Sequence, residues 1–339
     1  MKYVRYGNTG SFVSVLAFGA MTLGEKNRWN LGGVNQELSD KMVKLCIDNG
    51  INLFDTADIY DAGDAEIMLG KSLKGYRDQV MVATKVRGRM GKGINETGLS
   101  RHHISIALRK SLERLGTDWI DIYQYHGWDD FGNIDEILNS MQNFVDNGKV
   151  IYPAISNFAA WQIAEFQSRA EERGYARYES VQMNYSLLNR DIEYEVLPYL
   201  KYSKMTLLSW SPLHGGILTG KYRPGEKPPK GSRMGDRGFF FPYFDEEQGW
   251  KIVEEVVKIG EEQGVKPSQI ALSWIISQGY VAIIGAKTLE QLQENIAAIE
   301  VQLTSSQKDR LNKVSGGRKM YPNWMLERQN QDRDFEKIL

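Results

Sequence analysis

Short runs of apolar and β-branched residues alternate along the chain with longer stretches in which apolar residues recur every three or four positions. The first kind reads as buried strand: "VSVLAFG" at 13–19, "INLFDT" at 51–56, "VMVATK" at 80–85, "WIDIYQY" at 119–125, "KVIYPAIS" at 149–156, "ESVQMNY" at 179–185, "MTLLSWS" at 205–211 and "VAIIGA" at 281–286. The second reads as amphipathic helix, as in "LSDKMVKLCIDN", "SRHHISIALRKSLERLG", "IDEILNSMQNFVDNG" and "AAWQIAEFQSRAEERG". Gly50, Gly116, Gly148 and Gly174 stand where a helix end favours a left-handed residue. About eight βα units with no linker between them predict one closed (β/α)8 barrel over residues 1–339, with an open doubly wound sheet as the rival. The opening "KYVRYGNTGSFVS" carries an Asn-Thr-Gly turn and predicts a small hairpin before the first barrel strand.

Three stretches break the alternation, and in a barrel the loops that follow the strands carry function. Residues 24–38, "GEKNRWNLGGVNQEL", separate the first strand from its helix, and the Pro- and Gly-rich 222–244, "YRPGEKPPKGSRMGDRGFFFPYF", follow the seventh strand. The tail after Ser315 has no clear periodicity at first and is expected to be partly mobile. The aromatic run at 238–244 would be a sticky patch if exposed; it is expected to pack over a loop or to make a subunit contact. No internal repeat and no low-complexity segment interrupts the pattern.

Composition narrows the function classes. A formal net charge of -1, with no local concentration of Lys and Arg, lacks the footprint of phosphate-backbone binding, so nucleic acid is not expected as a partner. No apolar run is long enough to span a bilayer. Lys2 and Arg5 ahead of "FVSVLAFGAM" superficially suggest a secretory signal, but the run is short, β-rich and bracketed by Gly19 and Gly24, which reads better as strand and loop. The one cysteine, Cys46, can form neither an internal disulfide nor a multi-cysteine metal site, so no metal is expected and a reduced, cytoplasmic setting is.

Candidate chemistry lies at strand ends. Asp55 follows "INLF", Lys85 follows "VMVAT", His126 follows "WIDIYQY", and Tyr60 lies a few residues beyond Asp55. Consecutive barrel strands end side by side, which predicts convergence of these groups at the C-terminal mouth. An ammonium at Lys85 would favour the phenolate of Tyr60 and lower its pKa; Asp55 would keep a half-buried Lys85 charged; His126 would orient a substrate carbonyl. Each also has a bland reading: Asp55-Thr56 as a turn, Tyr60 as a helix-entry aromatic, Lys85 as a solvated loop residue.

These residues carry a resemblance. "NLFDTADIYDAGDAE", "TKV" after the third strand and "GLSRHHISIALRKSLERLGTDWIDIYQYH" resemble, in order, the motifs of the aldo-keto reductase family, over nearly the whole chain. The resemblance implies NADPH-dependent reduction of an aldehyde or ketone, or the reverse oxidation, with Tyr60 as general acid/base, tuned by Asp55 and Lys85, and His126 positioning the carbonyl. It also implies a cofactor site. Ala20 and Met21 follow the first strand; Ser156 and Asn157 in "AISNF" and Gln182 in "VQMNY" match residues that hold the nicotinamide carboxamide, and Trp210 matches an aromatic that stacks on the ring. Ser211, Pro212, Leu213, Gly215, Leu218 and Lys221 match the pyrophosphate loop, with Arg233 closing over it, and Gly285, Lys287, Gln291, Glu294 and Asn295 match the adenine and 2′-phosphate site. NADP is thereby favoured; Lys287 stands where relatives often carry Arg and lacks the bidentate fork, so NAD use is also admitted. No G-x-G-x-x-G follows the first strand, which removes the main support for a dinucleotide-binding open sheet.

Other departures are Ala154, preceded by Pro153, in place of the family's glycine before the Ser-Asn pair, which predicts a slightly shifted fifth strand, and Ile284-Gly285 in the last cofactor segment. Two rivals remain. A channel-β-subunit-like, NADPH-binding regulatory protein shares "NLFDTA", "AGDAE" and "WSPL", but the resemblance implies that such subunits lack the histidine found here as His126. A different barrel enzyme, such as a hydrolase with paired carboxylates, would need Asp129 as the second acid. Trp29 and Trp128 are the expected substrate contacts, with Phe131, Tyr321 and Trp324 in loops of the same kind, which points to an aromatic or extended apolar substrate; oligomeric state is left open.

Overall fold

The computed structural model describes residues 1–25, 33–232, 235, 243, 245–317 and 320–331. Its core is a closed parallel barrel made of β3 (Leu16–Gly19), β4 (Leu53–Asp55), β5 (Met81–Val86), β6 (Ile120–Tyr125), β7 (Val150–Ser156), β8 (Ser180–Asn184), β9 (Thr206–Trp210) and β10 (Val281–Ile284). The ring closes where β10 pairs with β3, Ala282 opposite Leu16 and Ile284 opposite Phe18, so no sheet edge remains and the open-sheet rival is excluded. A two-stranded hairpin, β1 (Tyr3–Arg5) and β2 (Phe12–Ser14), precedes it, in register Val4 opposite Val13.

The single run at 13–19 is therefore two strands. The chain turns at Val15, whose N–H donates to the Lys2 carbonyl (3.0 Å), while the Ser14 hydroxyl caps the Leu16 carbonyl (2.6 Å). The turn lets the hairpin plug the barrel floor: Tyr6 and Val13 share a cluster with Ala17, Leu53, Ala83, Ile122, Ala154, Leu208, Val281 and Ile283, and the Tyr6 hydroxyl meets Ser180 Oγ at 2.8 Å.

Strand side chains alternate between faces. Two residues beyond the apolar interior layer of Leu53, Ala83, Ile122, Ala154 and Leu208 come Asp55, Lys85, Gln124, Ser156 and Trp210, and two beyond Ser180 comes Gln182. One step along each strand thus changes the barrel filling from apolar to polar, at its C-terminal end. The outward faces, with Phe18, Phe54, Val82, Tyr123 and Tyr125, form a second and larger core with the helices. At ~1.5–3 kcal/mol for each large apolar side chain fully buried, these two layers offset the burial of a charged centre. β7 keeps parallel pairing through Ile155 on the β6 side and through Ser156 on the β8 side, with Ala154 in the interior layer, so the proline-alanine departure does not interrupt the strand.

Between the strands lie α1 (Gln36–Asp48), α2 (Asp64–Ser72), α3 (Arg101–Leu115), α4 (Ile134–Asp146), α5 (Ala160–Glu172) and α6 (Val196–Ser203). Asn35, Ser100 and Asn133 cap α1, α3 and α4 through side-chain oxygens. Gly50, Gly116, Gly148 and Gly174 all take positive φ at helix ends, as expected. Two helices, Glu246–Gln263 and Pro267–Ile276, precede β10, and Leu289–Ile296, Ser305–Ser315 and Asn323–Gln331 follow it, so part of the tail is helical. Among the described residues no helix is long and apolar enough to cross a membrane.

Candidate active site

Four strands meet around one buried carboxylate. Lys85 Nζ, fully buried, donates to Asp55 Oδ1 (2.6 Å), to the Thr56 carbonyl (2.7 Å) and to the Tyr60 hydroxyl (3.2 Å). Asp55 Oδ2 accepts from Gln182 Nε2 (2.7 Å) and Gln124 Nε2 (3.1 Å). His126 brings its ring edge-on to Tyr60, centroids 5.9 Å apart. The four sequence candidates therefore converge at the mouth, and the bland readings of Asp55 and Lys85 fail: neither a turn nor a solvated loop residue is buried in this way.

Charge states follow from the environment. Burial would strip the proton from Lys85, but the Asp55 carboxylate, with the Tyr60 hydroxyl as a further acceptor, more than reverses this, and the ammonium is held above its ordinary value. Burial pushes the Tyr60 phenol up, and the opposing pull of Lys85 does not cancel it. The expected lowering of the Tyr60 pKa is thus corrected. Lys85 acts in the foreseen direction, but desolvation of the phenolate wins, and the group is a protonated phenol at neutral pH. His126 is pushed down to about 3 by burial, with the Lys85 and Arg87 charges adding to the effect, so its imidazole is neutral.

Gln124 was missed by the sequence reading. Its signal was present, since it stands two residues before His126 in "YQYH" and so shares the inward face. Asp129, the second acid that the hydrolase rival needs, is committed to backbone N–H groups instead, of Leu99 (2.6 Å) and Phe131 (3.1 Å). Trp128 packs among Phe158, Trp161 and Phe166, with centroids 5.3, 5.5 and 5.8 Å away, beside the mouth; Phe131 is fully exposed. Tyr321 and Trp324 contact each other on the exposed tail. Trp29, Arg233 and the aromatic run at 238–244, apart from Tyr243, lie outside the described residues.

The expected cofactor residues follow one another along the mouth from β7 round to β3. Ser156 Oγ donates to the Gln182 carbonyl (2.9 Å); Asn157, at φ 56°, donates from Nδ2 to the His126 carbonyl (2.9 Å) and accepts at Oδ1 from the Trp210 indole (2.9 Å). After Trp210 the chain winds through Ser211, His214, Gly215 and Gly216, all with positive φ. A Cβ at Gly216 would stand 3.0 Å from Lys221 Nζ, so the ammonium curls back over this turn. Pro212 and Leu218 are buried beneath it and Leu213 packs against the core. Ala20 and Met21 begin a short 3-10 turn after β3; beside it, a Cβ at Gly285 would lie 3.8 Å from the Gly19 carbonyl. Asn295 Nδ2 holds the Gly285 carbonyl (3.3 Å), Gln291 Oε1 holds the Lys287 N–H (2.9 Å), and Lys287 Nζ reaches the Gly231 carbonyl (3.4 Å). Glu294 accepts from the Ser268 hydroxyl. No cluster of metal-ligating side chains exists among the described residues.

Comparison with known proteins agrees with this geometry. The model of the Aldo/keto reductase family matches residues 15–315. The chain is 31% identical over 327 residues to versiconal hemiacetal acetate reductase of Aspergillus parasiticus, covering 90% of this chain and 94% of that one. It is 30% identical over 317 residues to a putative aryl-alcohol dehydrogenase of Saccharomyces cerevisiae (90% and 84% covered), and 34% identical over 306 residues to a putative voltage-gated potassium channel subunit beta of Schizosaccharomyces pombe (87% of each). A polar mouth on a closed barrel, a buried lysine-carboxylate pair beneath a tyrosine, and a match over most of the length lead to one conclusion: the chain belongs to the aldo/keto reductase family of oxidoreductases.

Proposed function

We propose that the protein reduces an aldehyde or ketone to an alcohol, or runs the reverse oxidation, with NADPH as cofactor and Tyr60 as the general acid/base. The observation that carries this reading is the chain of contacts from Asp55 through Lys85 Nζ to the Tyr60 hydroxyl, at 2.6 and 3.2 Å. Tyr60 keeps its proton at neutral pH, which suits donation to a carbonyl oxygen as negative charge develops there. The Lys85 ammonium then stabilises the phenolate left behind, and Asp55, clamped by Gln124 and Gln182, keeps Lys85 charged. His126, neutral, can only donate a ring N–H to the same oxygen, and so fixes the direction of the carbonyl.

The rim from β7 round to β3 fits a dinucleotide. Gln182 spends its amide N–H on Asp55 and keeps Oε1 for the carboxamide of the nicotinamide; Asn157 and Ser156 flank it, and Trp210 offers a flat face at the strand end. The left-handed turn from Ser211 to Gly216, with Lys221 above it, would take the phosphates, and Lys287 beside the helix Leu289–Ile296 the 2′-phosphate. When bound, NADPH supplies the hydride to the carbonyl carbon. A regulatory role without turnover leaves the phenol, the ammonium and the imidazole at one mouth without a use.

The test is Tyr60→Phe. Reduction of a neutral aromatic aldehyde is expected to fall about 10²–10⁴-fold, while quenching of tryptophan fluorescence by NADPH persists. Turnover that survives the substitution would place the acid elsewhere.

A further inference from the structure

Arg87 stands two residues beyond Lys85, just past the end of β5, and its backbone takes φ 146°, a region that side-chain-bearing residues rarely occupy. Its side chain is exposed yet not loose: Nε donates to the Trp128 carbonyl at 3.0 Å, and the stem passes beside Gly127, where a Cβ would lie 3.6 Å from Cδ. The guanidinium is thus held against the His126–Gly127–Trp128 segment, and its charge reaches the His126 ring.

Its terminal nitrogens have no carboxylate among the described residues. The acids of the adjoining loops are spent on other donors, Glu96 on the Gly93 N–H at 2.7 Å, Asp129 on the N–H groups of Leu99 and Phe131, and Asp130 on the Trp128 indole at 2.8 Å. Nor does the cofactor rim explain the charge. In the ring β10-β3-β4-β5-β6-β7-β8-β9, β5 lies four strands from β9, diametrically across the mouth from the turn that faces phosphate.

We infer that Arg87 is a specificity residue that binds a carboxylate on the part of the substrate remote from its carbonyl, so that the preferred substrates are carbonyl compounds carrying an acid group. A guanidinium pinned through Nε presents the edge of Nη1 and Nη2 for a bidentate pair with a planar carboxylate, beside the imidazole that orients the carbonyl. The inference rests on the carbonyl-reductase reading of the same mouth.

The experiment compares 4-carboxybenzaldehyde with its neutral methyl ester at saturating NADPH, in the wild type, Arg87→Gln and Arg87→Lys. The wild type is expected to favour the acid by roughly tenfold or more in kcat/KM, carried by KM; Arg87→Gln abolishes the preference and Arg87→Lys keeps part of it. A wild-type ratio at or below unity, or a ratio that Arg87→Gln leaves unchanged, overturns the assignment. Calorimetric titration of benzoate into the protein alone reads the same contact without turnover: weaker binding to Arg87→Gln supports it, and equal or no binding by both proteins overturns it. If neither aldehyde is reduced while benzoate binding depends on Arg87, the reductase reading fails and the carboxylate site stands.

Discussion

Asp55 and Asp58 are three positions apart and both buried, yet their environments are opposite. Asp55 is met by an ammonium and two amides, whereas neither carboxylate oxygen of Asp58 completes a hydrogen bond. Replacing Asp55 with Asn leaves Lys85 buried without its counter-charge, so a loss of about 3–5 kcal/mol in unfolding free energy is expected, with activity lost as well. Denaturant unfolding that shows an equally stable Asp55→Asn variant would refute the pairing argument. The charges that act on Asp58 belong to Glu66 of α2, Arg114 of α3 and Lys85 of β5. Burial, with Glu66 adding, raises its carboxyl to about 8. An acid whose pKa is raised by folding binds its proton more tightly in the folded state. It therefore costs nothing below the ordinary carboxylate range and destabilises progressively as pH climbs toward 8. Asp58→Asn should raise stability by on the order of 3 kcal/mol near neutral pH, with the gain vanishing at about pH 4; a gain independent of pH would contradict the assignment.

At the scale of elements, α2 and α3 are locked at one crossing. Glu66 of α2 accepts from the Thr84 hydroxyl of β5 (2.6 Å) and pairs with Arg114 of α3 (2.6 Å), joining both helices to the strand that carries Lys85. Close by, Gly70 lets the helices touch, because a Cβ there would run into the Leu115 carbonyl. Gly70→Val is expected to cost about 1–3 kcal/mol and to lower turnover by shifting β5 relative to β4. Thermal unfolding and kcat measured together check this, and an unshifted melting temperature would contradict it. The elements themselves were legible in sequence because their periods differ, two for strands and 3.6 for helices. Their ends were less so. The run at 13–19 is continuous in hydrophobicity, and only the packing of the hairpin against the barrel floor breaks it at Val15.

For the whole molecule, a net charge near zero hides a divided mouth, with Arg87 on one rim and Lys221 and Lys287 on the other. Ligand that binds only the folded protein stabilises it by mass action, by about 2.7 kcal/mol at a hundredfold excess over Kd. NADPH should therefore raise the melting temperature by several degrees in both the wild type and Tyr60→Phe, since the tyrosine is not among the residues proposed to hold the phosphates. NADH, lacking the 2′-phosphate, should give a smaller shift, and Lys287→Ala should bring the two cofactors together. Equal shifts by NADH and NADPH in the wild type would remove Lys287 from cofactor choice.

The alternation of strand and helix, the number of barrel strands and the polar step at their C-terminal ends were set by local pattern, and so were readable in the chain alone. So were Asp55, Lys85 and His126, whose residue types are costly to place at the end of a buried strand without partners, and Tyr60 in the loop just beyond Asp55. What required the tertiary structure was everything that depends on distant segments meeting. Gln182 lies 127 positions from the carboxylate it clamps, Gln124 shows its inward face in the sequence but not the carboxylate 69 positions away that it meets, and Arg87 looks like a loop cation until its neighbours prove committed elsewhere. The Tyr60 charge balance belongs to the same class. Sequence supplies the neighbouring ammonium, but the loss of water that outweighs it exists only once the barrel has closed.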